Sequence, residues 1–122
     1  MFDDLPKDAV KRAVDVAART ADYRGGEGTV VLKMPSNAAM GEYFVITSAS
    51  NQRLVGSLLR TIEDEVRKWA GCRPPKKEGQ DERQWALLDY GDFVVHVFDA
   101  ETREFYDLER LWGDAPRRKW KS

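Results

Sequence analysis

The sequence is poor in cysteine and histidine, with one residue of each among 122. The single cysteine, Cys72, allows no internal disulfide, so the core must stabilise the fold without covalent cross-links. The single histidine, His96, excludes any metal site that needs two histidines and leaves a Ser-His-Asp triad only one candidate base. We therefore predict no metal and no cofactor, and we expect Cys72 to be a small buried or half-buried apolar residue.

Long apolar runs and an excess of basic charge are also missing. No run approaches the roughly 18 apolar residues that a membrane helix needs, so we expect no membrane association. The formal net charge of −1 argues against binding to RNA alone, because proteins that bind nucleic acids usually carry a large basic excess. The opening residues, MFDDLPKDAVKR, resemble neither a secretory signal nor a transit peptide, which predicts a cytoplasmic protein.

What the chain does contain is typical of one folded domain: 42% of its residues are hydrophobic, 34% are charged, and four are tryptophan. We assign residues 1–116 to a single domain and residues 117–122 to a basic C-terminal tail. Four of the five residues from Arg117 to Lys121 are basic. We expect this tail to be a solvated, flexible end, with a contact to nucleic-acid phosphates as the alternative.

The first half of the chain predicts one helix and two strands. A helix opens at Pro6 and runs to about Thr20, with its small apolar residues on one face. The β-branched segment 29–34 and the alternating segment 42–48 read as strands. Too few residues join these strands to form a helix, so we expect the two strands to be neighbours in a sheet.

The clearest helix begins after Asn51, which can cap it, and ends at Gly71. Its apolar stripe consists of Leu54, Val55, Leu58, Leu59, Ile62, Val66 and Trp69. The following segment, 73–77, contains two prolines, which are excluded from a central strand. We therefore expect a short edge strand there.

The next segment predicts a β-hairpin that turns at Tyr90-Gly91. In the predicted register Trp85 lies opposite His96, and Asp89 opposes Asp92 as an unfavourable like-charge pair. One face of the hairpin then carries Trp85, Leu87, Val94, His96 and Phe98. The other face carries Ala86, Leu88, Phe93, Val95 and Val97. His96 has two interpretations, a hydrogen-bonded core residue or a rim residue of a docking surface beside Trp85.

A last helix, capped by Asp99, is predicted to end at Gly113. Residues on one of its faces are expected to pack in the core: Phe105, Leu108, Leu111 and Trp112. Tyr106 lies beside that face, where its phenol can reach water or a partner. The whole pattern predicts an α/β fold with a mixed sheet of about five strands flanked by helices.

Two segments carry a family resemblance, LLDYGDFVVHVF at 87–98 and FYDLERLWGDAP at 105–116. With EYFVITSASNQR upstream, they closely resemble the ribosomal silencing factor family, the Iojap-like proteins also called RsfS. The resemblance covers residues 28–116. It implies a sheet like that of nucleotidyltransferases, and a factor that binds the large ribosomal subunit at ribosomal protein fourteen (universal L fourteen). Such a factor blocks joining of the small subunit and lowers translation when nutrients are short.

The resemblance also implies which residues bind the ribosomal protein. Those carried over from the family hairpin and helix are Trp85, Ala86, Leu88, Tyr90, His96, Phe98 and Tyr106. Beside a ribosome, the basic tail at 117–122 could contact rRNA phosphates at the periphery.

The implied fold relation leaves one enzymatic alternative, a nucleotide-handling enzyme. Metal-dependent phosphoryl transfer needs clustered carboxylates, commonly an Asp-x-Asp pair after a Gly-Ser loop, and the sequence contains neither signature. We therefore predict no catalytic residues. The apolar hairpin further predicts a weak homodimer, formed through the Trp85 face or through the helix at 51–70, with the first geometry favoured.

Overall fold

A computed structural model describes residues 2–35, 41–74, 76–107, 110 and 113–121. Its elements in chain order are α1 (Ala9–Tyr23), β1 (Glu27–Lys33), β2 (Tyr43–Ala49), α2 (Gln52–Ala70), β3 (Lys76–Glu78), β4 (Trp85–Asp89), β5 (Phe93–Asp99) and α3 (Ala100–Tyr106). The predicted α/β class and five-stranded sheet are confirmed. No helix in the described ranges has the length and apolarity needed to cross a membrane.

The sheet has the strand order β1-β2-β5-β4-β3. Its central pair, β2 with β5, is parallel, and the other neighbouring pairs are antiparallel, so the sheet is mixed as predicted. The expected pairing of the first two strands is confirmed. So is the short edge strand after the prolines, because β3 pairs only with β4 on one side.

Local capping explains where the two long helices begin and end. The Asn51 side chain accepts a hydrogen bond from the backbone N of Leu54 at 2.8 Å, and Gly71 ends α2 in the left-handed conformation, as predicted. Helix α1 begins at Ala9, later than expected, because Asp8 caps it by accepting from the backbone N of Lys11 at 2.9 Å.

The sheet has two unequal faces. Helices α1 and α2 pack on the helix-layer face, which carries Tyr43, Val45, Val95 and Val97 and contains the main core. On the opposite face, here called the α3 face, a smaller buried cluster is formed by Leu32, Phe44, Ile46, Val94 and Phe98. Cys72 is partly buried against the main core, as expected.

Helix α3 is shorter than predicted. It ends at Tyr106 because Asp107 adopts a left-handed backbone conformation with φ of 49°. Phe105 is 80% exposed, so its predicted packing in the core is wrong. The other residues of the predicted packing face, Leu108, Leu111 and Trp112, lie outside the described residues.

The basic segment 117–121 is docked on the domain, so the expectation of a solvated, flexible end is wrong. Arg117 pairs with Leu32 in an antiparallel bridge, and the backbone N of Arg118 donates to the carbonyl of Val31 at 2.8 Å. Trp120 is buried in the main core, and its carbonyl accepts a hydrogen bond from Nε of Arg19 at 2.9 Å. Burial of this indole supplies a stabilisation that a segment of charged residues alone would lack.

Candidate functional site

The hairpin of β4 and β5 turns one residue later than predicted. The backbone N of Tyr90 donates to the carbonyl of Phe93 at 2.9 Å, which leaves Gly91 and Asp92 as the two turn residues. Gly91 has a φ of +86° and Asp92 has no positive φ, the pattern of a type II′ turn. The Asp89 carboxylate accepts from the backbone N of Gly91 at 2.8 Å and therefore supports the turn.

This turn makes the predicted strand register wrong by two residues. Trp85 opposes Phe98 and His96 opposes Leu87, while Asp89 opposes Val94, so the like-charge pair does not form. Side chains alternate with a period of two along a strand, and a shift of two residues therefore leaves each side chain on its predicted face. Both predicted faces of the hairpin are confirmed.

His96 is a hydrogen-bonded core residue, which decides between its two interpretations. It is 2% exposed, and its Nδ1 accepts a hydrogen bond from Nε1 of Trp85 at 3.1 Å. Burial lowers the pKa of His96 to about 4, against a weaker opposing effect of the Asp89 charge. The imidazole is therefore neutral at pH 7, with its ring proton on Nε2, and it is suited to hold the indole in one orientation.

Three exposed aromatic side chains form a continuous surface on the α3 face, here called the aromatic patch. They are Trp85, which is 39% exposed, Phe105 at 80% and Tyr106 at 57%. The ring centroids of Trp85 and Tyr106 lie 6.2 Å apart, and those of Phe105 and Tyr106 lie 5.1 Å apart in an edge-to-face arrangement. Below the patch, the ring of Trp85 packs on the buried ring of Phe98 at 4.9 Å.

Arg103 attaches α3 to the sheet, a role for which the sequence carries no signal. Its buried guanidinium donates from Nη1 to the carbonyl of Glu27 at 3.1 Å and to Oγ of Ser48 at 3.2 Å. Its Nη2 donates to the carbonyl of Gly28 at 2.9 Å. Asp99 caps the same helix by accepting from the backbone N of Thr102 at 2.7 Å. These contacts fix a short helix that would be unstable alone.

Four of the seven residues carried over from the family have buried side chains: Ala86, Leu88, His96 and Phe98. Ala86 and Leu88 lie in the main core on the helix-layer face, and Phe98 lies under Trp85 on the α3 face. In the isolated chain these side chains are covered by the rest of the domain. They shape the site from below.

Tyr90 is separated from the aromatic patch by the sheet. It packs partly buried against the main core, where its ring stacks on Phe93 with centroids 4.5 Å apart. Burial, with a smaller effect of the Glu63 charge, raises the pKa of Tyr90 above its ordinary value, so the phenol stays neutral. Of the seven residues, the structure therefore brings only Trp85 and Tyr106 together at the surface. Phe105, which helical spacing had assigned to the core, joins them.

The described residues contain no group of three or more His, Cys, Asp or Glu side chains placed to hold a metal ion. What they do present is an exposed aromatic patch on a rigid, hydrogen-bonded base. Aromatic residues, tryptophan and tyrosine above all, are enriched where proteins bind other proteins tightly.

Comparison with known proteins adds a family to this geometry. The family model described as "Ribosomal silencing factor during starvation" matches residues 6–122. The ribosomal silencing factor RsfS of Bacillus subtilis is 38% identical over 106 residues, which are 87% of this chain and 89% of that protein. "Mitochondrial assembly of ribosomal large subunit protein 1" of Mus musculus is 34% identical over 102 residues, 81% of this chain and 44% of the mouse protein. A crystal structure of a Bacillus halodurans protein superposes with a TM-score of 0.71 at 28% identity, covering 87% of this chain and 95% of that one.

Proposed function

The chain belongs to the ribosomal silencing factor (RsfS) family, and from that membership we propose that it binds the large ribosomal subunit and represses translation under nutrient limitation. The family match over residues 6–122 is the observation that carries this proposal. The name of the mouse relative supports the large subunit as the partner. The protein would act in the cytoplasm, where translating ribosomes are found.

The contact on the ribosome would be ribosomal protein fourteen, reached through the aromatic patch. Trp85 offers a large apolar ring with low conformational freedom, because its indole is hydrogen bonded to His96. Phe105 and Tyr106 extend the apolar area around it. The patch thus has the composition of an interface hot spot, because it combines a tryptophan with a tyrosine and a phenylalanine.

Repression by this surface would be steric. The site residues supply contact area and orientation, and no bond is made or broken. A folded domain bound where the small subunit must approach prevents the two subunits from closing. The strength of repression then depends on occupancy of the large subunit, and it is reversed when the protein dissociates.

A sedimentation experiment tests the proposal. Purified large and small subunits are mixed with increasing amounts of the protein, and the fractions of free and joined subunits are measured on a sucrose gradient. We expect the protein to co-sediment with large subunits and joined ribosomes to decrease. Unchanged association at saturating protein, with no co-sedimentation, would contradict the proposal.

The same aromatic patch also supports a weak homodimer of the free protein. Exposed aromatic surface of this kind is unfavourable in water, and covering it with a second copy of the chain would stabilise a dimer. A twofold symmetric dimer through Trp85 would place the patch of one copy against the patch of the other. Such a dimer would compete with the ribosome for one surface.

A further inference from the structure

In the docked basic segment, residues 117–120 alternate between the two faces of the sheet, and the Lys121 ammonium lies near Asp22 of α1. The segment runs antiparallel to the free edge of β1, with hydrogen bonds from the backbone N of Lys33 to the carbonyl of Pro116 and from the backbone N of Arg118 to the carbonyl of Val31. Residues directly opposite in an antiparallel pair share a face. Arg117 therefore lies on the α3 face with its partner Leu32, and the alternation places Lys119 on the same face.

The intervening residues hold the segment in place from the other face. A guanidinium nitrogen of Arg118 lies 3.2 Å from the Asp15 carboxylate of α1, and Trp120 is buried in the main core. These contacts order the backbone before any partner arrives. Binding through the outward-facing residues would consequently lose less conformational entropy than binding through a flexible arm.

The outward-facing cations have little negative charge around them. Arg117 and Lys119 are exposed and form no ion pair with any residue in the described part of the chain. They line a groove of about 490 Å³ between the segment and the start of β1. The carboxylate in this lining, Asp22, lies 3.7 Å from Nζ of Lys121 and is therefore already partly neutralised.

The groove adjoins the aromatic patch. Gly28 lines the groove, and its carbonyl accepts the hydrogen bond from Arg103 that attaches α3. The same helix carries Phe105 and Tyr106 of the patch. A large partner that covers the patch would thus extend over Arg117 and Lys119 on the same face.

We propose that Arg117 and Lys119 bind the phosphate backbone of rRNA beside the docked ribosomal protein. This inference rests on the proposed function. Two cations on alternate residues of an extended chain are separated by roughly 7 Å, which is comparable with the separation of successive phosphates along an RNA strand. An arginine guanidinium can donate two parallel hydrogen bonds to one phosphate, and a lysine ammonium acts as a compact charge. The contact would add affinity without sequence preference, since it reaches no base.

The salt dependence of subunit binding tests this inference. The variant Arg117→Gln/Lys119→Gln removes both cations, and Lys7→Gln/Lys11→Gln is a matched control that removes two exposed lysines near the start of α1. We expect the slope of log affinity against log salt to become shallower by about 1.4 in the first variant, with about 10-fold weaker binding near 0.1 M salt. The control should follow the wild type, and all three proteins should bind isolated ribosomal protein fourteen equally.

The outcomes separate this inference from the proposed function. Wild-type slope and affinity in Arg117→Gln/Lys119→Gln would overturn the rRNA contact and leave the proposed function intact. If the wild type fails to bind large subunits, the proposed function fails. A second measurement then decides whether the groove binds RNA. In that measurement a uridine decanucleotide at low salt is titrated into the 15N-labelled protein, with oligoglutamate as a parallel probe.

We expect the decanucleotide to shift amide signals of residues 117–121 in the wild type and not in Arg117→Gln/Lys119→Gln. The shifts should disappear as salt is added, because counterion release drives the binding. Absence of these shifts in the wild type would overturn the inference. Equal shifts with oligoglutamate would also overturn it, because the groove would then fit an acidic protein surface.

Discussion

Nε1 of Trp85 donates a hydrogen bond to Nδ1 of His96 at 3.1 Å, although the two residues are not paired across the hairpin. Trp85 opposes Phe98, so the indole reaches diagonally to a histidine two residues earlier on β5. The bond requires Nδ1 to be unprotonated. The orientation of the exposed Trp85 indole thus depends on the charge state of a buried imidazole.

Stability should fall in mild acid because of His96. Its pKa is lowered from the usual 6.5 to about 4 in the folded state, so between these pH values the unfolded chain takes up a proton that the folded protein does not. His96 therefore disfavours the folded state progressively as the pH falls from about 6.5 to 4, by roughly 3 kcal/mol in total. Urea unfolding at pH 7, 5.5 and 4.5 measures this loss. His96→Gln retains an acceptor but does not titrate, and an equally steep loss in that variant would contradict the assignment.

Trp85→Ala should weaken binding to the large subunit by about 2 to 4 kcal/mol and leave the protein folded, as expected for an exposed hot-spot tryptophan. Trp69→Ala is the matched control, because Trp69 is also an exposed tryptophan, at 41%, but packs on Phe2 away from the aromatic patch. Binding is measured by co-sedimentation and folding by circular dichroism. Equal losses of binding in both variants would show that the patch is not the contact.

Trp85→Phe separates the ring from its hydrogen bond. The variant retains an aromatic ring against Phe98 but removes the donor to Nδ1 of His96. Leaving a buried acceptor unsatisfied is expected to lower the free energy of unfolding by about 1 to 3 kcal/mol. Denaturant unfolding of Trp85→Phe and of the wild type measures this difference. A Trp85→Phe protein as stable as the wild type would show that the hydrogen bond contributes little.

Phe93→Ala should unfold the protein or leave it marginally stable. Phe93 is buried in the main core, and removing a large buried aromatic side chain costs about 3 to 5 kcal/mol, a large part of the stability of a small domain. Thermal unfolding followed by circular dichroism checks the prediction. A melting temperature close to that of the wild type would show that this face of the hairpin is less tightly packed than the structure indicates.

Arg103→Met should weaken subunit binding although Arg103 lies under the surface. The substitution preserves much of the apolar stem and removes the donors to Glu27, Ser48 and Gly28, so α3 is no longer fixed to the sheet. We expect Arg103→Met to lose more affinity for the large subunit than Phe105→Ala, because Phe105→Ala removes one side chain of the patch and leaves the attachment of α3 intact. Amide hydrogen exchange in 100–106 should become faster in Arg103→Met alone. Unchanged exchange there would contradict the anchoring role.

Self-association should depend on the patch. Sedimentation equilibrium of the wild type at high micromolar concentration is expected to detect a weak dimer, and Trp85→Ala should shift it to monomer because the shared apolar area decreases. A monomeric wild type would defeat the dimer. An unchanged dimer in the variant would point to another interface, of which the face of α2 is the alternative.

Local patterns predicted much of this fold. Asn51 and Gly71 mark the ends of α2 because capping depends on residues within one turn of the helix. The faces of the hairpin were also predictable, since alternation has a fixed period of two. The register was not, because both Tyr90-Gly91 and Gly91-Asp92 are acceptable turn pairs and the choice between them depends on what the strands pack against.

The sequence by itself determined the family, the secondary structure of the long elements and the apolar character of the hairpin, because these depend on neighbouring residues or on extended motifs. Tertiary structure alone decided which of the predicted contact residues reach the surface. It buried Ala86, Leu88, His96 and Phe98, exposed Phe105, and bound Arg118 to Asp15, 103 positions away in the chain. A contact between residues so far apart in sequence leaves no periodic pattern. It stabilises the fold only after packing has brought the two charges and the Trp120 indole to the same side of the sheet.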